Sequence, residues 1–135
     1  MHAAIAKEIH LSGNPLPPPA CVISGGETTV TLRGNGLGGR NQEFVLAAAL
    51  EISGWPATVI LSAGTDGTDG PTDAAGALGD GNTVERAEVL GLKPQIFLSE
   101  NNTYRFFEQL GDLMITGPTN TNVMDLRIML VGSPS

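Results

Sequence analysis

Arg40-Asn41-Gln42-Glu43-Phe44-Val45-Leu46-Ala47-Ala48-Ala49-Leu50-Glu51-Ile52, joined through Ser53 to Ala57 to Thr58-Val59-Ile60-Leu61-Ser62-Ala63, holds the two periodicities on which the fold turns. Beyond its polar first turn the first segment is apolar around most of a helical circumference, which predicts a buried helix. The second is a short apolar run rich in β-branched residues, which predicts a strand buried on both faces, ending at Gly64-Thr65-Asp66.

Working outward, the same alternation recurs. Upstream, Cys21 to Ser24 and Thr28 to Leu32 are β-rich runs separated by Gly25-Gly26-Glu27, read as a hairpin or an adjacent strand pair. Downstream, Thr72 to Leu78, Thr83 to Leu90 and Asn102 to Leu110 predict helices, the last carrying Tyr104, Phe106 and Phe107. Leu113 to Thr116 and Leu126 to Val131 predict closing strands. The expected architecture is a layered α/β/α domain with a mixed β-sheet, the suspected hairpin supplying the antiparallel part. At the start, Ala3 to Leu11 predicts a short helix and Asn14-Pro15-Leu16-Pro17-Pro18-Pro19 a stiff connector. Residues 1–19 read as an interdomain joint ahead of a domain over 20–135; the alternative is a terminal helix packed back on its own core.

Composition excludes several classes. Seven basic against fourteen acidic side chains in 135 residues give a formal charge of −7. The basic residues are scattered, leaving no nucleic-acid footprint or polybasic membrane patch. Cys21 stands alone, so no internal disulfide can form, and its apolar neighbours predict a buried, inert thiol in a reducing compartment. The longest apolar stretch, Phe44 to Leu50, is far short of the roughly 20 residues of a membrane span, and Met1 to Leu11 lacks a signal-peptide core. A cytoplasmic location is expected. His2 and His10 both lie in the first helix and fit no zinc spacing or nucleophile motif.

Three loops concentrate the polar and glycine residues. Gly34, Gly36, Gly38 and Gly39 lead directly to Arg40, a composition suited to an anion: free first-turn amides, close backbone approach and a guanidinium fork. A plain strand-to-helix turn needs the same glycines. Gly34, Gly36 and Gly39 also satisfy a dinucleotide fingerprint formally, but the acidic residue due about 20 positions later is missing, and no P-loop sequence occurs. The second loop, Gly64 to Asp73, places Asp66, Asp69 and Asp73 within eight residues. Asp73 is suited to the first turn of a helix begun by Pro71. Asp66 and Asp69 would need a cation or donors, pointing to Mg²⁺ held through water or to substrate hydroxyls. The third loop, Thr116-Gly117-Pro118-Thr119-Asn120-Thr121-Asn122, can either build turns or line a polar pocket. Glu27 and Glu43 are further candidates, suited equally to pairing with Arg40 or capping a helix.

Taken in order and spacing, Ser24-Gly25-Gly26-Glu27-Thr28-Thr29-Val30, Gly38 to Glu43, Ala63 to Ala77 and Thr116 to Leu126 resemble the MOFRL domain, the C-terminal domain of the glycerate 2-kinase family. The likeness runs from Pro17 to Val131. It implies one wall of an active-site cleft completed by a larger N-terminal domain, in cis or in trans, with ATP and Mg²⁺ as cofactors and glycerate as substrate. It implies that Arg40 faces the cleft and holds a substrate carboxylate or phosphate, and that Asp66 and Asp69 are catalytic and hold the metal. Gly38, Gly39, Asn41 and Glu43, with Thr119 and Asn122, would contact substrate, and Glu27 the cofactor. Asn122 and Asp125 fit the family pattern, whereas Asn120 stands where a glycine is expected and Asn102 where an aspartate is usual. Alone, the chain is expected to be nearly inactive. Two other readings stay open: a component of an NAD(P)H-dependent hydroxypyruvate reductase, a label some relatives carry, and a non-catalytic module that binds a hydroxy acid. Oligomeric state is open as well.

Overall fold

A computed structural model describes residues 1–26 and 34–133. Its elements are α1 (His2–Ser12), β1 (Ala20–Gly26), α2 (Arg40–Glu51), β2 (Thr58–Gly64), β3 (Gly76–Asp80), α3 (Thr83–Val89), α4 (Pro94–Ser99), α5 (Thr103–Leu110), β4 (Leu113–Met114) and β5 (Asp125–Val131). One five-stranded sheet has the order β1-β5-β2-β3-β4. The α/β class stands, with the described helices gathered on one face of the sheet in place of the expected α/β/α layering, and every pairing among the described residues is antiparallel where a mixed sheet was expected. The second arm of the expected hairpin, Thr28 to Leu32, lies outside the described residues.

Strand alternation decides which side of the sheet the helices cover. Along β5, Asp125, Arg127, Met129 and Val131 are buried on one face. Ala6 and Ile9 of α1 pack with Ala20, Met129 and Val131 into one apolar cluster. Val45, Leu46, Ala48 and Ile52 of α2 pack with Ile60, Ala77 and the aromatic pair Phe106 and Phe107 into another. Full burial of each Val, Leu, Ile, Phe or Met among them contributes roughly 1.5–3 kcal/mol. Helix α1 packs on the domain's own sheet. Two side chains tether it further: His2 Nε2 meets Ser24 Oγ at 2.8 Å and His10 Nε2 meets Thr58 Oγ1 at 2.7 Å.

Three expectations are corrected. Thr72 to Leu78 is not a helix, because its alanines and glycines serve close approach rather than helix propensity, and Gly76 to Asp80 pairs with β2 instead. A Cβ on Gly76 would lie 1.8 Å from the Ser62 carbonyl oxygen, so only glycine allows that pairing. Asp73 consequently has no helix turn to complement and accepts a hydrogen bond from the Tyr104 hydroxyl at 2.8 Å. Cys21 is exposed, since the alternation of β1 turns it away from the helices. Helix α4, opened by Pro94 at its first turn, has no counterpart among the expected elements. No helix among the described residues is long and apolar enough to cross a membrane.

Candidate functional site

The site lies where β5 begins. Asp125 is paired with Gly26 on one side and Gly64 on the other, so neither neighbouring strand sets a side chain beside its carboxylate. Arg40, the first residue of α2, crosses above it and donates from Nε to Asp125 Oδ2 at 2.6 Å and from Nη2 to Oδ1 at 2.8 Å. The Asp125 side chain is fully buried, while that of Arg40 keeps 28% of its surface. One helical turn on, Phe44 receives the Arg127 guanidinium 4.9 Å from its ring centroid, a cation–π contact. Residues four apart on α2 thus meet residues two apart on β5, which fixes the helix over the strand.

The helix N-terminus already holds an anion, and the chain supplies it. Asp69 is fully buried and accepts from the Asn41 and Gln42 amides at 2.9 and 2.8 Å and from Asn41 Nδ2 at 3.1 Å. The Ser62 hydroxyl donates to Asn41 Oδ1 at 2.6 Å, tying the helix start to β2. A Cβ on Gly39 would sit 2.4 Å from Asp69 Cγ, so the glycine is there to let this carboxylate in. Burial raises the Asp69 pKa, and the Asn41 and Gln42 donors oppose that rise.

The glycine loop spends its amides in the same inward manner. Gly34 N–H donates to Asn101 Oδ1 at 3.0 Å, Gly36 N–H to the Glu100 carbonyl at 3.0 Å, and Leu37 N–H to Asn102 Oδ1 at 3.1 Å. Added Cβ atoms on Gly36 and Gly38 would meet Asn102 and Thr103 at 2.5 and 2.3 Å. The loop is a clasp on the α4–α5 junction rather than an open anion cradle. The dinucleotide fingerprint fails for the same reason, since the place of a pyrophosphate at the α2 N-terminus is occupied by Asp69. Glu43 accepts a hydrogen bond from Asn101 Nδ2. It also lines a 290 Å³ hollow with Gly36, Gly39, Pro71 and Asn101, a poor seat for a second carboxylate.

The acidic and threonine-rich loops are sewn to each other beside Arg40. Asp66 Oδ1 accepts from the Thr68 amide at 3.0 Å and the Thr68 hydroxyl at 3.1 Å. These bonds, the amide foremost, and the nearby charge of Arg40 lower the Asp66 pKa. Thr119 N–H donates to the Asp66 carbonyl at 3.3 Å and its hydroxyl to the Thr65 carbonyl. Thr65 Oγ1 in turn donates to the Met124 carbonyl at 2.7 Å, and Asn122 Oδ1 accepts from the Met124 amide at 3.1 Å. Asn120 has φ +60°, the left-handed conformation that made a glycine the expected residue.

The structure brings Arg40, Asn41, Asp66 and Asp69 together, with Gly38 and Gly39 at the helix entrance and Thr119 and Asn122 in the outer strap. Glu27 lies outside the described residues. As a pair, Asp66 and Asp69 do not fit a divalent cation, because both Asp69 oxygens are already engaged by amide donors; no group of three or more His, Cys, Asp or Glu residues suited to a metal occurs among the described residues. Among the described residues, the Gly34, Gly36, Leu37, Asn41 and Gln42 amides are all committed within the chain, leaving none of these five for a nucleotide phosphate. Sequence reasoning left out Asp125 as the partner of Arg40 and Asn101 as the clasp; an acid opening the buried face of an apolar strand was the available signal for Asp125.

The family model described as the MOFRL family matches residues 20–125. A D-glycerate 2-kinase of Thermotoga maritima is 50% identical over 129 residues, which make up 96% of this chain and 31% of that protein. A glycerate 2-kinase of Pyrococcus horikoshii is 45% identical over 131 residues, again 96% of this chain and 30% of the relative. The crystal structure of glycerate kinase from Thermotoga maritima superposes with a TM-score of 0.94 at 49% identity, covering 96% of this chain and 31% of that one. The chain therefore spans about a third of the length of the relatives it matches, and by sequence and by fold it belongs to the MOFRL family.

Proposed function

We propose that this chain forms the C-terminal wall of an ATP-dependent glycerate 2-kinase site, completed by a larger N-terminal domain in cis or in trans. The observation that carries the reading is the convergence of all three polar loops on the Arg40–Asp125 end of the sheet. Arg40, whose side chain keeps 28% of its surface, orients the carboxylate or a phosphate of glycerate, and its pairing with Asp125 fixes the plane of the fork. Asp69 and Asn41 hold the start of α2, and so the base of Arg40, in place. Asp66 keeps an ionised carboxylate at the loop edge, where a substrate hydroxyl can donate to it. ATP supplies the phosphoryl group, and the nucleotide and its Mg²⁺ belong to the larger domain, since the Gly34, Gly36, Leu37, Asn41 and Gln42 amides here are committed within the chain. Positioning and charge complementarity are the main requirements of phosphoryl transfer, so a site divided between two domains is chemically sound.

The test is ATP-dependent phosphorylation of D-glycerate with Mg²⁺, by this chain alone and by this chain joined to the N-terminal portion of the Thermotoga maritima relative. Activity only in the joined form, lost in Arg40→Ala and in Arg40→Lys, supports the reading; the lysine keeps the charge and loses the fork. Reduction of hydroxypyruvate by NAD(P)H without kinase activity would replace it with the reductase. Glycerate binding by a joined form with neither activity would replace it with a binding module.

A further inference from the structure

The two faces of the sheet are unequal. Strand register aligns Ile23 with Ile128, Ile128 with Leu61 and Leu61 with Leu78, an unbroken apolar row across four strands. By alternation this row lies on the face opposite the one that α1 and α2 cover. The neighbouring row aligns Cys21 with Leu130 and Leu130 with Val59. Ile23 keeps 64% of its surface exposed and Leu130 48%, values far from those of a finished core. At the site end of the same sheet Ile115, Val123 and Met124 are exposed too, immediately before β5 and beyond β4. The row from Ile23 to Leu78 carries no charge, in a chain with a formal charge of −7, and the row from Cys21 through Leu130 and Val59 meets a charge only at its far end, Asp80 on β3. Contiguous apolar surface of this kind marks association.

We infer that this open sheet face is the seat of the larger domain: the occupant is the polypeptide that the relatives carry outside the matched region. The inference rests on the two-part site proposed above and adds the surface that joins the parts. Three observations favour this occupant. The Thermotoga maritima relative devotes all but 31% of its length to residues outside the match, so a body of sufficient size exists in the family. The helix-covered face is filled by side chains of this chain, as the buried Ile9, Met129, Val45 and Ile60 attest. And along β5 the same face continues from Leu130 through Ile128 and Leu126 towards Met124, whose carbonyl accepts from Thr65 in the acidic loop, so a body seated on the face reaches the Arg40 end of the sheet. An apolar, uncharged counter-surface is what this face selects.

Cys21 is a native probe of the face, because its thiol is exposed on it. The experiment compares the rate of Cys21 alkylation, followed by mass spectrometry, in this chain alone and in a chimera in which the chain replaces the matched region of the Thermotoga maritima relative. The expected result is at least a tenfold slower reaction in the chimera, restored by the double change Ile23→Lys and Leu130→Lys, whereas Val89→Lys on α3, 82% exposed in the wild type, leaves the protection intact. A chimera active as a glycerate kinase but alkylated as fast as the isolated chain would overturn the inference and leave the proposed function standing. An inactive and unprotected chimera would remove both. Protection that grows with the concentration of the isolated chain and is unchanged in the chimera would assign the face to a second copy.

Discussion

Asp125 grips Arg40 from a buried position across 85 residues of sequence, and the two partners are unequally exposed. Loss of either leaves a different residue behind. Arg40→Ala strands a buried carboxylate and is expected to cost about 3 kcal/mol, whereas after Asp125→Asn the partly exposed arginine side chain still reaches water and the cost is about 1–2 kcal/mol. Urea denaturation of the two variants should show that order; equal losses would mean that the carboxylate is solvated by another route.

Asp69→Asn should destabilise the fold by about 2 kcal/mol, because an amide nitrogen would face the Asn41 or Gln42 N–H where an oxygen now accepts. The pH dependence has a definite sign. Burial holds the folded-state pKa of Asp69 above its unfolded value, so the native state binds that proton more tightly. This contribution is full on the acid side and is lost as pH rises through the raised pKa. The stability gap between wild type and variant should therefore be widest near about pH 4 and narrow upward from there, as urea curves across pH would reveal.

Gly36→Ala should cost about 1–3 kcal/mol, because its Cβ would lie 2.5 Å from that of Asn102 and 2.6 Å from the Glu100 carbonyl oxygen. Hydrogen exchange should rise at the Gly34 and Leu37 amides, which the clasp residues now hold. Unchanged protection would show that the loop is anchored elsewhere.

At Asn120 the left-handed backbone makes glycine a near-neutral replacement, while Asn120→Ala should cost about 1 kcal/mol. A thermal melt that ranks alanine equal to glycine would contradict the backbone assignment.

Much of this arrangement was legible in the chain, for physical reasons that vary by element. Helix α2 and strand β2 follow from periodicity because both are buried by their neighbours on the scale of a few residues. Arg40 was legible as a lone charge opening an apolar helix. Asp125 was not legible as its partner, since the two meet only once β5 enters between β1 and β2. Strand β3 was misread because alanine and glycine favour no strand by themselves; what selects them is the space left by Val45 and Ala49, 3.0 and 3.4 Å from a Cβ on Gly79. The glycine loop was read by composition as open to a ligand, and the asparagines that close it lie more than 60 residues away.

Helix α1 carries a practical lesson about modularity. The family match runs from residue 20 to 125, yet Ile9 and Ala6, ahead of it, cap the apolar ends of β1 and β5. A version begun at residue 20 would lose Ala6 and Ile9 and bare Met129 and Val131 to water, so the sheet keeps its dry end only with α1 in place.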